Sequence, residues 1–269
     1  WGIVIAVVGT RFVLPILIVS AVTWASPIAI TRLAFLDPAA YGALLAGAHY
    51  AINAFGAAFL FIVALKYFMD GSKKTHWLRI IETHLSKWGR IESIEIGLAL
   101  IVLAGLAFMV PANEAAHVLI AGIVGIIVFI AMQGVTGLFS VETEHATEAA
   151  RLGLALFIYL NVLDSAFSLD SVVGAFALSD AIPVIVAGLG IGALFVRSLT
   201  VYLVRHKALD SIIYLEHGAH WAIFGLAASM FVSLLVAVPE FITGGIGLAF
   251  VVAAYFSSLY IRGKRASAA

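Results

Sequence analysis

Long apolar runs separated by short polar breaks dominate the chain. Eight of these runs read as membrane-crossing helices: Gly2–Trp24, Tyr41–Phe68, Ile94–Val110, His117–Ser140, Leu152–Leu178, Ile182–Val204, Ser211–Val238 and Phe241–Ile261. A helix crossing a hydrocarbon core needs roughly 20 mainly apolar residues. The breaks hold residues that stop helices or seek water: Asp37-Pro38, Asp70-Gly71, Pro111-Ala112-Asn113, Asp180 with Pro183, and Pro239-Glu240. Apolar residues are continuous rather than alternating, which selects helices over barrel strands. The pattern predicts an all-α, polytopic transmembrane helical bundle. Residues 1–261 form one transmembrane domain and 262–269 a tail.

Composition excludes the other classes. The 269 residues are 63% hydrophobic and 11% charged, too little charge to cover a water-facing surface of that size. Disorder and nucleic-acid binding both require charge that is missing. Without cysteine there is no disulfide framework, zinc finger or thiol nucleophile.

Basic residues fall on one side. If each run crosses once, Lys73, Lys74, Arg79, Lys87, Arg90, Arg151, Arg205, Lys207, Arg262, Lys264 and Arg265 share a side, and Arg32 stands alone opposite. That bias predicts an inner, plasma-membrane protein with both visible ends in the cytoplasm. Residues 69–93 read either as an amphipathic segment on the headgroups, with Trp77 and Trp88 at interface depth, or as a solvated connector.

A repeat is visible. Gly47-Ala48-His49-Tyr50-Ala51-Ile52 returns as Gly218-Ala219-His220-Trp221-Ala222-Ile223, and GIVIAVVGTR (residues 2–11) is echoed by GLGIGALFVR (residues 188–197). Five crossings separate each pair, so the related helices run in opposite directions, as in an inverted-topology repeat. Repeat one covers about residues 1–68 and repeat two about 152–238. An amphipathic loop with a helical hairpin (69–141) intervenes, and 241–261 follows. The second repeat has a span before its Gly–Arg helix, which predicts a further helix upstream of Trp1.

The candidate chemistry lies on the fifth run. Placing a carboxylate at the bilayer centre costs about 2.5–3.5 kcal/mol, yet this run carries Asn161, Asp164, Ser165, Ser168, Asp170 and Ser171. Asn161, Asp164, Ser168 and Ser171 share a face, and Asp170 joins them if the helix unwinds near Ser168. Carboxylate, amide and hydroxyl oxygens suit hard divalent ions, and a nearby imidazole favours Mn²⁺. His49, one turn from Asn53, and His220, one turn from Glu216, are the imidazoles available; both also suit tight helix packing. Arg11 and Arg197 read as buried partners of the two Asp residues, as counter-ions that switch between states, or as an anion site.

The string Leu163-Asp164-Ser165-Ala166-Phe167-Ser168-Leu169-Asp170-Ser171-Val172 resembles the acidic signature of the TerC-like integral membrane family, named for tellurium resistance, which includes Alx-type manganese exporters. Agreement extends to Gly188–Arg197 and to Tyr214-Leu215-Glu216-His217-Gly218-Ala219-His220. The resemblance implies inner-membrane export of Mn²⁺, with Asp164 and Asp170 as ligands. It departs in two places: the family's first acidic helix is absent, and Ser171 stands where many members carry Asn.

The expected function is therefore export of a divalent cation, most of all Mn²⁺, by alternating access. Asp164, Asp170, Asn161 and Ser168 are the expected metal ligands. Arg11, Arg197, His49, His220, Asn53, Glu216, Ser165 and Ser171 support or gate. The expected partners are the ion and the lipid bilayer, with no permanently bound cofactor and no nucleic acid. A non-transporting scaffold or stress-response module, and oxyanion (tellurite or phosphate) handling, are the rival readings. An intramembrane aspartyl protease is disfavoured because its Tyr-Asp and Gly-x-Gly-Asp sequences are missing.

Overall fold

The structure is a computed structural model. It describes residues 9, 13–73, 75–91, 93–139, 153, 156–158, 160–164, 182–206 and 212–266. Among these there is helix and no strand, so the all-α expectation holds. The helices are α1 (Leu14–Thr23), α2 (Pro27–Leu36), α3 (Pro38–Gly47), α4 (His49–Met69), α5 (Arg79–Trp88), α6 (Ile94–Ala107), α7 (Ala115–Phe139), α8 (Ile182–Arg205), α9 (Leu215–Ser233) and α10 (Glu240–Ala266). Residues 156–158 and 160–164, here called the acidic segment, are also helical.

The described residues hold four helices long and apolar enough to cross a membrane, in α4, α7, α8 and α10, or five if α1 and α2 form one span bent by 116°. This corrects the expectation of eight. Helix α6 is 14 residues, about 21 Å at 1.5 Å per residue, short of a bilayer core. Helix α9 opens on Glu216, His217 and His220 and is too polar to qualify. Most of 152–178 lies outside the described residues.

Two boundaries move for local reasons. Residues 25–36, expected to be a loop, are largely helix α2, because Ser26 caps it by accepting from the Ala29 N–H and Pro27 sits in the first turn. Asp37-Pro38, expected as a break, is likewise a helix start: Asp37 accepts from the Ala40 N–H at 3.0 Å. The single span expected over Tyr41–Phe68 is divided at Ala48, with α4 beginning at His49.

Helix α4 is the hub. Ala54, Ala57, Ala58, Phe59, Leu60 and Ile62 are fully enclosed on it, and α6, α7 and α9 pack around it. Alanine and glycine permit the close approach. A Cβ on Gly125 of α7 would lie 2.5 Å from the Phe55 carbonyl oxygen of α4, and one turn on, Phe129 meets Phe59 edge-on at 6.1 Å. Lys66, in the last turn of α4, pairs with buried Glu95 in the first turn of α6 at 3.1 Å. Most of α8 is exposed and apolar, including Ile191, Leu194, Phe195 and Val196, a surface suited to lipid.

The ring contacts fix the direction of α9 against α4. His220 meets Tyr67 and Trp221 meets Phe68, whereas Phe231 meets Phe61. As one number rises the other falls, so the two helices that carry the repeated hexapeptide pack antiparallel. Helix α10 returns along α9 the same way, Gly218 against Ala254 and Gly225 against Ile246.

Candidate functional site

The acidic segment runs beside α4. Leu156 lines a cavity of about 440 Å³ with Val63, Lys66, Tyr67 and Asp70, at the carboxyl end of α4. Val162 lines another with Ala51 and Phe55, near the amino end. The segment is thus antiparallel to α4, with Asp164 on the side of Leu156 that faces the amino end of α4. Asp164 and Asn161 are half-buried and one turn apart. Asn161 donates its Nδ2 to the Phe157 carbonyl at 2.7 Å. Asn53 is 1% exposed and its Oδ1 accepts no hydrogen bond among the described residues. A buried acceptor without a donor costs about 1–3 kcal/mol.

The structure separates the two imidazoles. His49 opens α4, edge-on to Tyr50 at 5.6 Å. His220 is stacked 3.6 Å from Tyr67, 18 residues along. At 1.5 Å per residue the two are about 27 Å apart along the axis, so they cannot share one ion, and only His49 is at the Asp164 end. Glu216 is exposed and serves His220 through its backbone, its carbonyl accepting from Nδ1 at 2.8 Å. Arg197 is exposed on α8. Arg11, Ser165, Ser168, Asp170 and Ser171 lie outside the described residues. Among those described, no three His, Asp or Glu side chains gather as a metal-holding group.

A second polar cluster, not anticipated from sequence, lies at the opposite end of α4. Glu82 of α5 is 1% exposed. Its carboxylate accepts from the Trp77 and Leu78 N–H groups at 3.1 and 3.2 Å and from Trp221 Nε1 at 3.0 Å. His217 Nε2 is 3.6 Å from it and 2.8 Å from the Thr75 carbonyl. That carbonyl can only accept, which puts a proton on Nε2, while Nδ1 is buried without a hydrogen-bond partner among the described residues. Tyr67 is clamped between His220 on one face and the Lys73 ammonium, 3.1 Å from the ring centroid, on the other. The sequence signal was a lone acid on an isoleucine-rich helix, which reads equally well as solvated.

Burial pushes Lys73 down from 10.5 to about 8, although Glu82, Asp70 and Glu216 pull the other way. Just before it, the exposed Asp70 is lowered by its hydrogen bonds to Ser72. The unfolded chain holds the lysine proton more tightly, so this group's contribution to stability rises as pH climbs from about 8 towards 10.5. The rate of amine-selective labelling at Lys73, followed by mass spectrometry, is expected to reach half its maximum near pH 8. A half-maximal rate only near pH 10.5 would show the amine in open water.

A family model described as a protein of unknown function (DUF475) matches residues 1–265. The chain belongs to the DUF475 family. No curated protein and no solved structure matches it. For this DUF475 protein the match takes in every element above, α10 as far as Arg265, and includes the acidic segment and the Glu82 cluster.

Proposed function

We propose that this is an integral membrane transporter that moves a divalent cation, Mn²⁺ foremost, by alternating access. The observation that carries the reading is the antiparallel packing of α4 and α9, which bear the same hexapeptide motif, with a carboxylate-bearing segment laid along α4. Oppositely oriented repeats around an intramembrane polar site let one site face either side in turn. Asp164 and Asp170 are the principal oxygen ligands in this proposal, supported by Asn161 and Ser168. His49 is the imidazole nearest in depth. The unpartnered Asn53 Oδ1 at the same end of α4 supports it further, since an acceptor lacking a donor is an oxygen a cation can satisfy. The TerC-like pattern around Asp164 adds to the reading. In this proposal the protein sits in a bacterial inner membrane, with Lys73, Arg79, Lys87 and Arg90 on the cytoplasmic side.

Export is tested by Mn²⁺ accumulation in inverted membrane vesicles. Asp164→Asn is expected to slow accumulation by about ten-fold or more, the least that weakening a metal's ligand shell costs, and Asp170→Asn likewise. Wild-type rates from both variants would overturn the proposal. Stabilisation of the purified protein by phosphate or tellurite, with none by Mn²⁺, would favour an oxyanion instead.

A further inference from the structure

Helix α5 is built inside out for a water-facing surface. Its carboxylate, Glu82, is 1% exposed, whereas Ile80 is 81% and Trp88 53% exposed, and Ile81 is open as well. At 100° per residue, Ile80, His84 and Lys87 project about 140–200° away from Glu82, with Ile81 and Trp88 on the adjoining flank. In water this arrangement loses on both counts, since it dehydrates a charge and hydrates isoleucine. It is favourable where the outward face meets the lipid interface, which takes up apolar side chains and tryptophan together.

The chain places α5 at that interface. It lies between Met69, the end of a full-length span, and Ile94, the start of α6. Gly89, just beyond α5, is so close to the end of α4 that a Cβ there would be 1.9 Å from the Met69 carbonyl oxygen. The helix is therefore held at the depth where α4 stops. Over residues 79–91 the exposed charges are Arg79, Lys87 and Arg90, all basic, while the one acid is turned inward. That sign selects negatively charged headgroups.

We propose that the outer face of α5 is a docking surface for an anionic phospholipid bilayer. Ile80, Ile81 and Trp88 enter the headgroup region, and Arg79, Lys87 and Arg90 meet lipid phosphates. Because Glu82 holds Trp221 and borders His217, the lipid-seated helix is tied directly to α9. None of this depends on which solute, if any, is carried.

The chain has no cysteine, so Ile80→Cys in the full-length protein takes a single fluorophore. The protein is reconstituted in phosphatidylcholine vesicles, with or without phosphatidylglycerol. The label at position 80 is expected to be quenched by nitroxide-bearing lipid and shielded from iodide, and a label at Ser72→Cys to show the reverse. Nitroxide-labelled phosphatidylglycerol should associate near position 80 more strongly than its phosphatidylcholine counterpart. Arg79→Gln, Lys87→Gln and Arg90→Gln should each reduce that preference by about five-fold. Iodide reaching position 80 as freely as position 72 would overturn the proposal by placing the face in water. Shielding from both quenchers would overturn it by showing a protein cover, from elsewhere in the chain or from a second copy. Equal association of the two lipids would overturn the anionic assignment.

Discussion

Glu82→Ala is expected to destabilise the protein by about 3 kcal/mol or more, because three N–H donors lose one shared acceptor. The substitution removes the shared acceptor of the Trp77 N–H, the Leu78 N–H and the Trp221 indole N–H. Each donor left dry costs about 1–3 kcal/mol, and Trp221, itself buried, has the least access to water. Glu82→Gln keeps one acceptor oxygen at nearly the same volume and should fall between wild type and alanine. Thermal unfolding of the reconstituted protein, followed by fluorescence, ranks the three. Limited trypsinolysis localises the effect, with cleavage at Arg79, Lys87 and Arg90 rising in the alanine variant before the spans unfold. A melting curve unchanged by Glu82→Ala would mean that the carboxylate is solvated and α5 is not docked on α9.

The second large effect is expected at Gly125. An added methyl would meet backbone, the Phe55 carbonyl oxygen at 2.5 Å and its carbon at 3.3 Å. No rotamer change relieves such a clash, so α7 and α4 must separate and their enclosed contacts, Phe59 on Phe129 among them, loosen together. Gly125→Ala should cost about 1–3 kcal/mol, the range for overpacking a close-fitted core. Gly134→Ala on the same helix is the control, because nothing lies within 4 Å of the methyl it would add. Equal melting temperatures for the two variants would refute the close approach of α7 to α4.

The long helices were legible because membrane spans advertise themselves as uninterrupted apolar runs. α4, α7, α8 and α10 all fall where the pattern placed a crossing. What misled was punctuation. Asp37-Pro38 reads as a break between elements, but a capping side chain followed by proline also begins a helix, as it does there and at Ser26-Pro27. The division at Ala48 had no local signal, since Gly47-Ala48-His49 contains neither proline nor carboxylate. Of the candidate ligands, Asp164 and Asn161 were legible as polar residues on an apolar run. Which imidazole lies towards their end of α4 was not, because that follows from how helices pair. Glu82 and Trp221, 139 positions apart, were out of reach for the same reason. A single sequence shows that an acid sits on an amphipathic helix, but not which surface the helix turns towards the bundle.

A phenol ring turns over only by sweeping the space above and below its plane. Tyr67 has neither space free, with the imidazole of His220 parallel to it at 3.6 Å and the Lys73 ammonium on its other face. Its rotation is therefore arrested while α9 and the connection after α4 stay seated. Rotation resumes only when one of them withdraws, which makes this ring an internal gauge of separation at that end of the bundle.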